Sequence, residues 1–166
     1  AEKTPQGAIA CVKLPLNAVR PPKGPCLLLD RLQDPGNVGT IIRTANAAGY
    51  EDIYLIDCAD PFSPKAVRAS MSGIFFVNAM CCTLEEGLQA LGSVPLITAD
   101  MDGRNIFDFV PPKNFCLCIG NEGRGVSREV TEKSSYTVSI PMRATCESLN
   151  AAISAAIAMY ALKNKI

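Results

Sequence analysis

The sequence has no histidine and no tryptophan in its 166 residues. The absence of histidine excludes Ser-His and Cys-His nucleophile pairs and removes the commonest general base of enzymes. It also removes the commonest metal ligand, and the eight cysteines form no Cys-x-x-Cys pair. We therefore predict no metal site. Any chemistry has to use Arg, Glu, Ser, Asn and backbone groups.

An excess of charge and a long apolar run are absent as well. The 16 basic residues balance the 16 acidic ones, so no net field draws in a polyanion from a distance. No apolar run is long enough to cross a bilayer, and the first residues, AEKTPQG, lack the pattern of a secretory signal. These absences favour a soluble, cytoplasmic protein.

Four of the cysteines are predicted to lie in the core rather than in a disulfide framework. Cys26, Cys58, Cys116 and Cys118 fall within or at the ends of apolar, strand-like runs. A free thiol in such a run behaves as a small hydrophobic side chain.

Apolar runs alternate with helical patterns along a chain that is long enough for one domain. We predict seven short strands, at residues 8–12, 26–30, 53–57, 74–78, 95–99, 115–119 and 136–140. Helices are predicted at residues 38–48, 64–70, 84–91, 126–132 and 148–163, the last with Leu149, Ile153, Ile157 and Tyr160 as one buried stripe. This order is typical of an α/β fold, with a mostly parallel sheet flanked by helices on both faces.

Three short motifs lie where a predicted strand gives way to a helix. They are DPGNVG at residues 34–39, IGNEGRG at 119–125, and IPM at 140–142 followed by ESLN at 147–150. In an open α/β sheet such junctions line up along the carboxyl edge, where these folds bind ligands. We therefore predict that the motifs form one site. Arginines are found at the same edge, namely Arg31, Arg43, Arg104, Arg124, Arg128 and Arg143.

The first motif supplies a turn and a helix cap, and capping by itself explains Asp34 or Asn37. Capping does not explain Arg43, which follows Asn37 by six residues in a helix of small side chains. A guanidinium there can hold a phosphate or a carboxylate with two parallel hydrogen bonds.

In the second motif, three glycines in six residues allow the backbone to approach a ligand closely. The spacing differs from the dinucleotide fingerprint G-x-G-x-x-G, so a nicotinamide enzyme is not indicated. Glu122 would repel a bare pyrophosphate, which favours a ligand with hydroxyl groups or a positive charge. A glycine turn needed only for geometry is the alternative. In the third motif, Ser148 and Asn150 begin a helix, where capping is the ordinary role of such residues.

Taken together, in this order and spacing, the three motifs resemble those of the SpoU/TrmH branch of the SPOUT methyltransferases, over nearly the whole chain. The resemblance implies a SPOUT-type fold with a C-terminal trefoil knot. It also implies a homodimer that transfers a methyl group from S-adenosylmethionine to a ribose 2′-hydroxyl of tRNA or rRNA, with rRNA slightly favoured. Neither a metal nor a membrane partner is implied.

The resemblance also assigns site residues. Arg43, Glu122, Ser148 and Asn150 would form the reaction centre, with Asn37 supporting it and the dimer contact. The methyl donor would lie against Thr98, Ala99, Gly120, Asn121, Ile140 and Leu149. Arg43 corresponds to the catalytic arginine of the family. Because a guanidinium stays protonated, we expect it to anchor the phosphate beside the target ribose rather than to act as a base.

Two other classes of function remain open. One is a catalytically inactive module that binds S-adenosylmethionine or RNA, and the other is a different nucleotide-binding α/β enzyme. Residues 1–7 resemble the end of a linker that follows a separate, small RNA-binding domain in many relatives. Residues 8–166 are then expected to be the catalytic domain.

Overall fold

The computed structural model describes residue 7, residues 11–14 and residues 18–166. Its strands are β1 (Cys26–Asp30), β2 (Asp52–Ile56), β3 (Asn78–Cys82), β4 (Leu96–Asn105), β5 (Cys116–Ile119) and β6 (Tyr136–Ser139), and its helices are α1 (Pro35–Ala48), α2 (Pro64–Ser70), α3 (Leu84–Leu91), α4 (Arg128–Thr131) and α5 (Ala151–Lys163). The strand order is β3-β2-β1-β5-β4-β6, and every neighbouring pair is parallel. The predicted α/β fold is confirmed. Among the described residues, no helix is long and apolar enough to span a bilayer.

The sheet is covered on both faces, since β1, β2 and β5 are buried at every position. In β1, Leu27 and Leu29 belong to the core that also contains residues of α1 and α5. Leu28 belongs to a second core, which contains Leu91 of α3 and Val130 of α4. Side chains of a strand alternate between its two faces, so these cores lie on opposite sides of the sheet. The predicted helices on both faces are confirmed.

Helix α1 begins three residues earlier than predicted, at Pro35. The carboxylate of Asp34 caps it by accepting a hydrogen bond from the Gly36 N–H at 2.9 Å. A hydrogen bond from Lys65, and then the bond from Gly36, lower the pKa of Asp34. The folded pKa is below the unfolded one, so this cap contributes fully at neutral pH and is lost as the pH falls through the folded pKa.

The strand predicted at residues 74–78 is wrong. A 3-10 turn occupies Gly73–Phe75 instead, and β3 starts only at Asn78. The backbone of Met71 and Ser72 is left-handed, with φ of 47° and 68°, and this turns the chain before the apolar residues. Gly73 then packs so closely on α1 that a Cβ there would lie 3.1 Å from the backbone of that helix.

The buried stripe predicted for the last helix is also wrong. Ile153 and Tyr160 are 51% and 46% exposed, and Leu149 and Ile157 are only half-buried. The buried face consists of small or flexible side chains instead, namely Ala151, Ala152, Ala155, Ala158, Met159 and Leu162. Alanines allow α5 to pack closely on the core that it shares with α1. The helix begins at Ala151 rather than at residue 148 because Asn150 caps it there.

The remaining differences concern boundaries and the number of strands. The strand predicted at residues 8–12 falls partly on residues 8–10, which lie outside the described residues, and residues 11 and 12 are not in a strand. The linker predicted at residues 1–7 lies outside them except for residue 7. Strand β4 runs to Asn105 rather than to residue 99 because it pairs again with β6 after an irregularity between Ala99 and Arg104. Helix α4 is shorter than the predicted 126–132.

The cysteines give a prediction about thiol reactivity. Burial raises the pKa of Cys58 to about 12 and that of Cys82 to about 11, and Cys26, Cys116 and Cys118 are fully buried. Because the thiolate is the reactive form, these five should resist a maleimide at pH 8. The exposed thiols of Cys11 and Cys146 should be labelled first, and Cys81 after them, because partial burial raises the pKa of its thiol. Mass spectrometry before and after unfolding in guanidinium checks this; rapid labelling of Cys118 in the folded protein would contradict the fold.

Candidate active site

The loops that follow β1, β5 and β6 meet through a chain of side-chain hydrogen bonds. Asn37, in the first turn of α1, donates through Nδ2 to Glu122 Oε1 at 2.9 Å. Asn150, immediately before α5, donates through Nδ2 to Asn37 Oδ1 at 3.0 Å. The structure therefore brings residues of all three sequence motifs together at the carboxyl edge of the sheet.

Both ends of the Asn150 amide are engaged. Its Oδ1 accepts the N–H groups of Ala152 at 2.9 Å and Ile153 at 3.3 Å, and so caps α5. Its Nδ2 is bonded to Asn37. Asn150 thus fixes the start of α5 relative to α1, and the capping role that is ordinary for such a residue is present beside the contact to the site.

The loop of the second motif is closed on itself. The backbones of Asn121 and Gly125 exchange two hydrogen bonds of 2.9 Å. The side chain of Asn121 accepts the N–H groups of Gly123 and Arg124 at 3.0 and 3.1 Å. Gly120 packs directly on this loop, where an added Cβ would lie 2.3 Å from the carbonyl carbon of Gly125. Only glycine fits at position 120, because any side chain would collide with backbone.

A cavity of about 470 Å³ opens beside this loop. It is bounded by residues 99–101 of β4, the ends of β5 and β6, the second motif, the segment before α5 and the first turn of α5. Seven residues assigned by the sequence line it: Ala99, Gly120, Asn121, Glu122, Ile140, Ser148 and Leu149. Its volume is in the range of pockets that hold small ligands.

The charges around the cavity are mostly negative. Three carboxylates line it, those of Asp100, Glu122 and Glu147, together with the guanidinium of Arg124. Apolar surface is supplied by Ile140 and other aliphatic side chains. Such a cavity suits a ligand with an apolar body, hydroxyl groups and positive charge, rather than a bare phosphate.

Four of the eleven assigned residues do not line the cavity. Asn37 and Asn150 are linked to it through the hydrogen bond of Asn37 to Glu122. Thr98 is fully buried, and its hydroxyl donates to Ser134 Oγ at 2.5 Å. Arg43 lies on the exposed side of α1. In the part of the chain that the structure describes, its guanidinium has no hydrogen bond or ion pair, so it is available to an anion from outside.

Other lining residues were not anticipated from the sequence. Asp100 and Met101 belong to the part of β4 beyond residue 99, where the predicted strand ended. Met142 is the last residue of the IPM segment, and Ser154 lies in the first turn of α5. Asp100 could have been found, because a polar residue directly after a buried parallel strand is expected at the ligand-binding edge. Met101 carries no such signal.

This chain belongs to the SpoU rRNA methylase family, whose model matches residues 25–160. It is 35% identical over 165 residues to the 23S rRNA (guanosine(2553)-2′-O)-methyltransferase RlmP of Bacillus subtilis strain 168, covering 97% of this chain and 66% of the relative.

Two solved structures bound to AdoMet have the same fold. The SpoU methyltransferase AviRb of Streptomyces viridochromogenes is 32% identical, with a TM-score of 0.81 over 92% of this chain and 66% of AviRb. An rRNA methyltransferase of Sinorhizobium meliloti is 32% identical, with a TM-score of 0.80 over 89% of this chain and 59% of that protein. The chain spans between about a quarter and two thirds of the length of the curated relatives it matches.

Proposed function

We propose that this chain transfers a methyl group from S-adenosylmethionine to a ribose 2′-hydroxyl of RNA, with ribosomal RNA favoured over tRNA. The observation that carries the proposal is the cavity in which the second and third motifs meet, joined to the first motif by the Asn37 to Glu122 hydrogen bond. The 23S rRNA 2′-O-methyltransferase RlmP, to which the chain is similar, and the AdoMet bound to the similar structure of AviRb support it.

The residues of the cavity fit S-adenosylmethionine, which supplies a methyl group on a positively charged sulfonium. Ile140 and Leu149 offer apolar surface for an adenine. Gly120 allows the loop of the second motif to close against the backbone of Gly125, and this closed loop forms one wall of the cavity. The carboxylates of Asp100 and Glu122 suit ribose hydroxyls, an ammonium group and the sulfonium charge.

Methyl transfer requires the removal of one proton, that of the ribose 2′-hydroxyl. The reaction forms an O–CH₃ bond and breaks an S–CH₃ bond, and it releases a neutral thioether, so no group has to protonate the leaving atom. The Ser148 hydroxyl is placed in the cavity to orient the ribose hydroxyl. Among the three lining carboxylates, Glu122 is the one held by another side chain, that of Asn37, and we assign the proton to it. The exposed Arg43 anchors the neighbouring phosphate.

This assignment gives a prediction for Asn37→Asp. The new carboxylate would lie about 3 Å from Glu122, and two like charges at that distance raise the pKa of the pair. The rise of methyl-transfer rate with pH should therefore move upward by about one unit. Asn37→Ala, which removes the contact without adding charge, should lower the rate and move the profile upward by less than Asn37→Asp does, because only a hydrogen bond to the carboxylate is lost. A profile that Asn37→Asp leaves unchanged would contradict the role of Glu122.

We also propose that the chain acts as a cytoplasmic homodimer with a C-terminal knot. The apolar side chains of Ile153 and Tyr160 are half-exposed on α5, and a second copy packed there would cover them beside α1. The C-terminal end contacts the segment after β4, since Lys165 Nζ donates to the carbonyl oxygens of Ile106 and Phe109. The knot itself is proposed from the membership of the family. Sedimentation of Tyr160→Arg against the unmodified protein tests the dimer: the variant should be monomeric, and an unchanged dimer would contradict this face.

The two alternatives are separated by two experiments. A different nucleotide-binding enzyme would ignore S-adenosylhomocysteine in calorimetry, whereas the proposed enzyme binds it. An inactive binding module would bind it but transfer no methyl group.

The methylation experiment uses labelled S-adenosylmethionine. We expect label in ribosomal RNA from cells lacking the gene, and little label in ribosomal RNA from cells that have the gene. The balanced charge of the chain predicts weak binding to bare RNA. Label found only on bases, or none in any RNA, would overturn the proposal.

A further inference from the structure

A second crevice lies beside the cavity, outside the carboxyl ends of β1, β2 and β5. Its volume is about 400 Å³, and it is lined by Arg31, Gln33, Asp57, Asn121 and Arg124. Strands β1 and β5 are neighbours in the sheet, and the helices that follow them, α1 and α4, pack on opposite faces. Open α/β sheets bind ligands in the crevice between two neighbouring strands whose following helices lie on opposite faces of the sheet.

The backbone of this crevice is held firmly. Gln33 Nε2 donates to the carbonyl oxygens of Arg31 at 3.3 Å and Asp57 at 2.8 Å. Asn121 Nδ2 donates to the carbonyl oxygen of Arg31 at 2.7 Å. Arg31 and Asp57 have left-handed backbones, with φ of 57° and 47°, a conformation that residues with a side chain seldom adopt. The left-handed residues after β1 and β2, Arg31 and Asp57, therefore line the same crevice.

Within the part of the chain that the structure describes, the guanidinium groups of Arg31 and Arg124 have N–H donors without a hydrogen-bond acceptor. Arg31 Nε is buried without a hydrogen bond, although Asp30 Oδ1 lies 3.2 Å away. Among the described residues, no hydrogen bond engages the outer nitrogens of Arg31 or the guanidinium of Arg124. The Asp30 carboxylate also has a second partner, since its Oδ2 accepts a hydrogen bond from the Ser127 N–H at 2.6 Å. The crevice thus has two guanidinium groups with donors to spare.

The combination of charges favours a ribonucleotide. Two arginines can hold a phosphate between them with parallel hydrogen bonds. The Asp57 carboxylate, which would repel that phosphate, can instead accept a hydrogen bond from a 2′-hydroxyl, the group that distinguishes RNA from DNA. Asn121 and Arg124 line both the crevice and the neighbouring cavity, so an occupant would lie next to the methyl donor.

We propose that this crevice binds one ribonucleotide of the RNA, close in sequence to the methylated one, with its phosphate between Arg31 and Arg124 and its 2′-hydroxyl on Asp57. The proposal rests on the proposed function for the identity of the RNA as substrate. It assigns the crevice, as distinct from the cofactor cavity, to recognition of the RNA chain.

The test is the salt dependence of binding to a labelled single-stranded RNA, measured by fluorescence anisotropy. Arg31→Asn keeps a residue that tolerates the left-handed backbone, and Arg124→Gln changes an exposed residue. Each should weaken binding about tenfold and reduce the slope of log K against log salt by about 0.7, the value for one phosphate of a single strand. The control is Arg128→Gln, because Arg128 is 88% exposed and paired with Glu132; its slope should be unchanged.

Asp57→Gly tests the hydroxyl contact, since glycine accepts φ of 47°. The ratio of RNA affinity to affinity for DNA of the same sequence should fall about fivefold. Unchanged slopes in both arginine variants would overturn the proposal. If Arg31→Asn lost S-adenosylhomocysteine binding through misfolding, Arg124→Gln would decide the question by its slope alone. Slopes that fall as predicted in a chain that methylates no RNA would support the crevice and overturn the proposed function.

Discussion

Replacing Arg43 with lysine is expected to lower the single-turnover rate of methyl transfer to RNA by about a hundredfold, the size of effect seen when one preorganised donor is removed from a reaction centre. A guanidinium presents a rigid fork of N–H donors to a phosphate, whereas an ammonium is a compact charge on a flexible stem. Arg43 is exposed on α1, so its replacement should leave the free energy of unfolding within about 0.5 kcal/mol.

Arg128→Lys is the matched control, because it makes the same exchange at a residue that is 88% exposed, pairs with Glu132 and lines neither the cavity nor the crevice. It should retain the normal rate. Near-normal turnover by Arg43→Lys with unchanged RNA affinity would show that a two-pronged contact to phosphate is not needed. The expected result is that Arg43→Lys loses methyl-transfer rate but keeps its affinity for S-adenosylhomocysteine, as measured by calorimetry.

Gly120→Ala should lower the affinity for S-adenosylhomocysteine by ten- to a hundredfold, corresponding to the roughly 1–3 kcal/mol that an overpacked contact costs. The new methyl group would lie 2.3 Å from Gly125 C and 2.3 Å from Val126 N. Both are backbone atoms, so the loop of the second motif has to move, and with it one wall of the cavity. Calorimetry measures the affinity directly.

Gly123→Ala is the control within the same loop. The nearest atom to its added Cβ would be Asn121 Oδ1 at 3.8 Å, an ordinary contact. Its unfolding midpoint should be unchanged, and its affinity for S-adenosylhomocysteine should stay within about threefold of the normal value. If Gly120→Ala and Gly123→Ala lost affinity for S-adenosylhomocysteine equally, the loop would tolerate no added methyl group at either position. The argument from packing at position 120 would then fail.

Much of the fold could be predicted because local signals agree with the tertiary structure. Helices α2 and α3 begin and end as predicted, since Ser63 and Thr83 cap them by accepting backbone N–H groups. Strand β1 is a continuous apolar run up to Asp30 because both faces of a parallel sheet are covered. The segment at 74–78 was misread because apolar composition does not reveal a left-handed turn at Met71 and Ser72.

The buried face of α5 could not be predicted for a different reason. In an alanine-rich helix nearly every face is apolar, so the pattern does not say which face packs inward. Close approach to α1 selects the face with Ala155 and Ala158, and it leaves Ile153 and Tyr160 partly outside. Larger side chains carry more apolar area, but they do not fit where two helices pack most closely.

The candidate site was predictable in outline because carboxyl ends of parallel strands meet at one edge. The hydrogen bond of Asn37 to Glu122 joins segments 85 positions apart, and no local pattern contains such a contact. The crevice lined by Arg31 and Arg124 has the same origin, since the two arginines become neighbours only through the order of the strands.

The structure of this chain with S-adenosylhomocysteine bound is the measurement that tests the central claim most directly. The account predicts the adenine against Ile140 and Leu149, the backbone at Gly120 and Asn121 beside the ligand, and the sulfur facing the space between Glu122 and Ser148. A ligand bound in the arginine-lined crevice or elsewhere on the surface, with the cavity left vacant at saturating concentration, would contradict it.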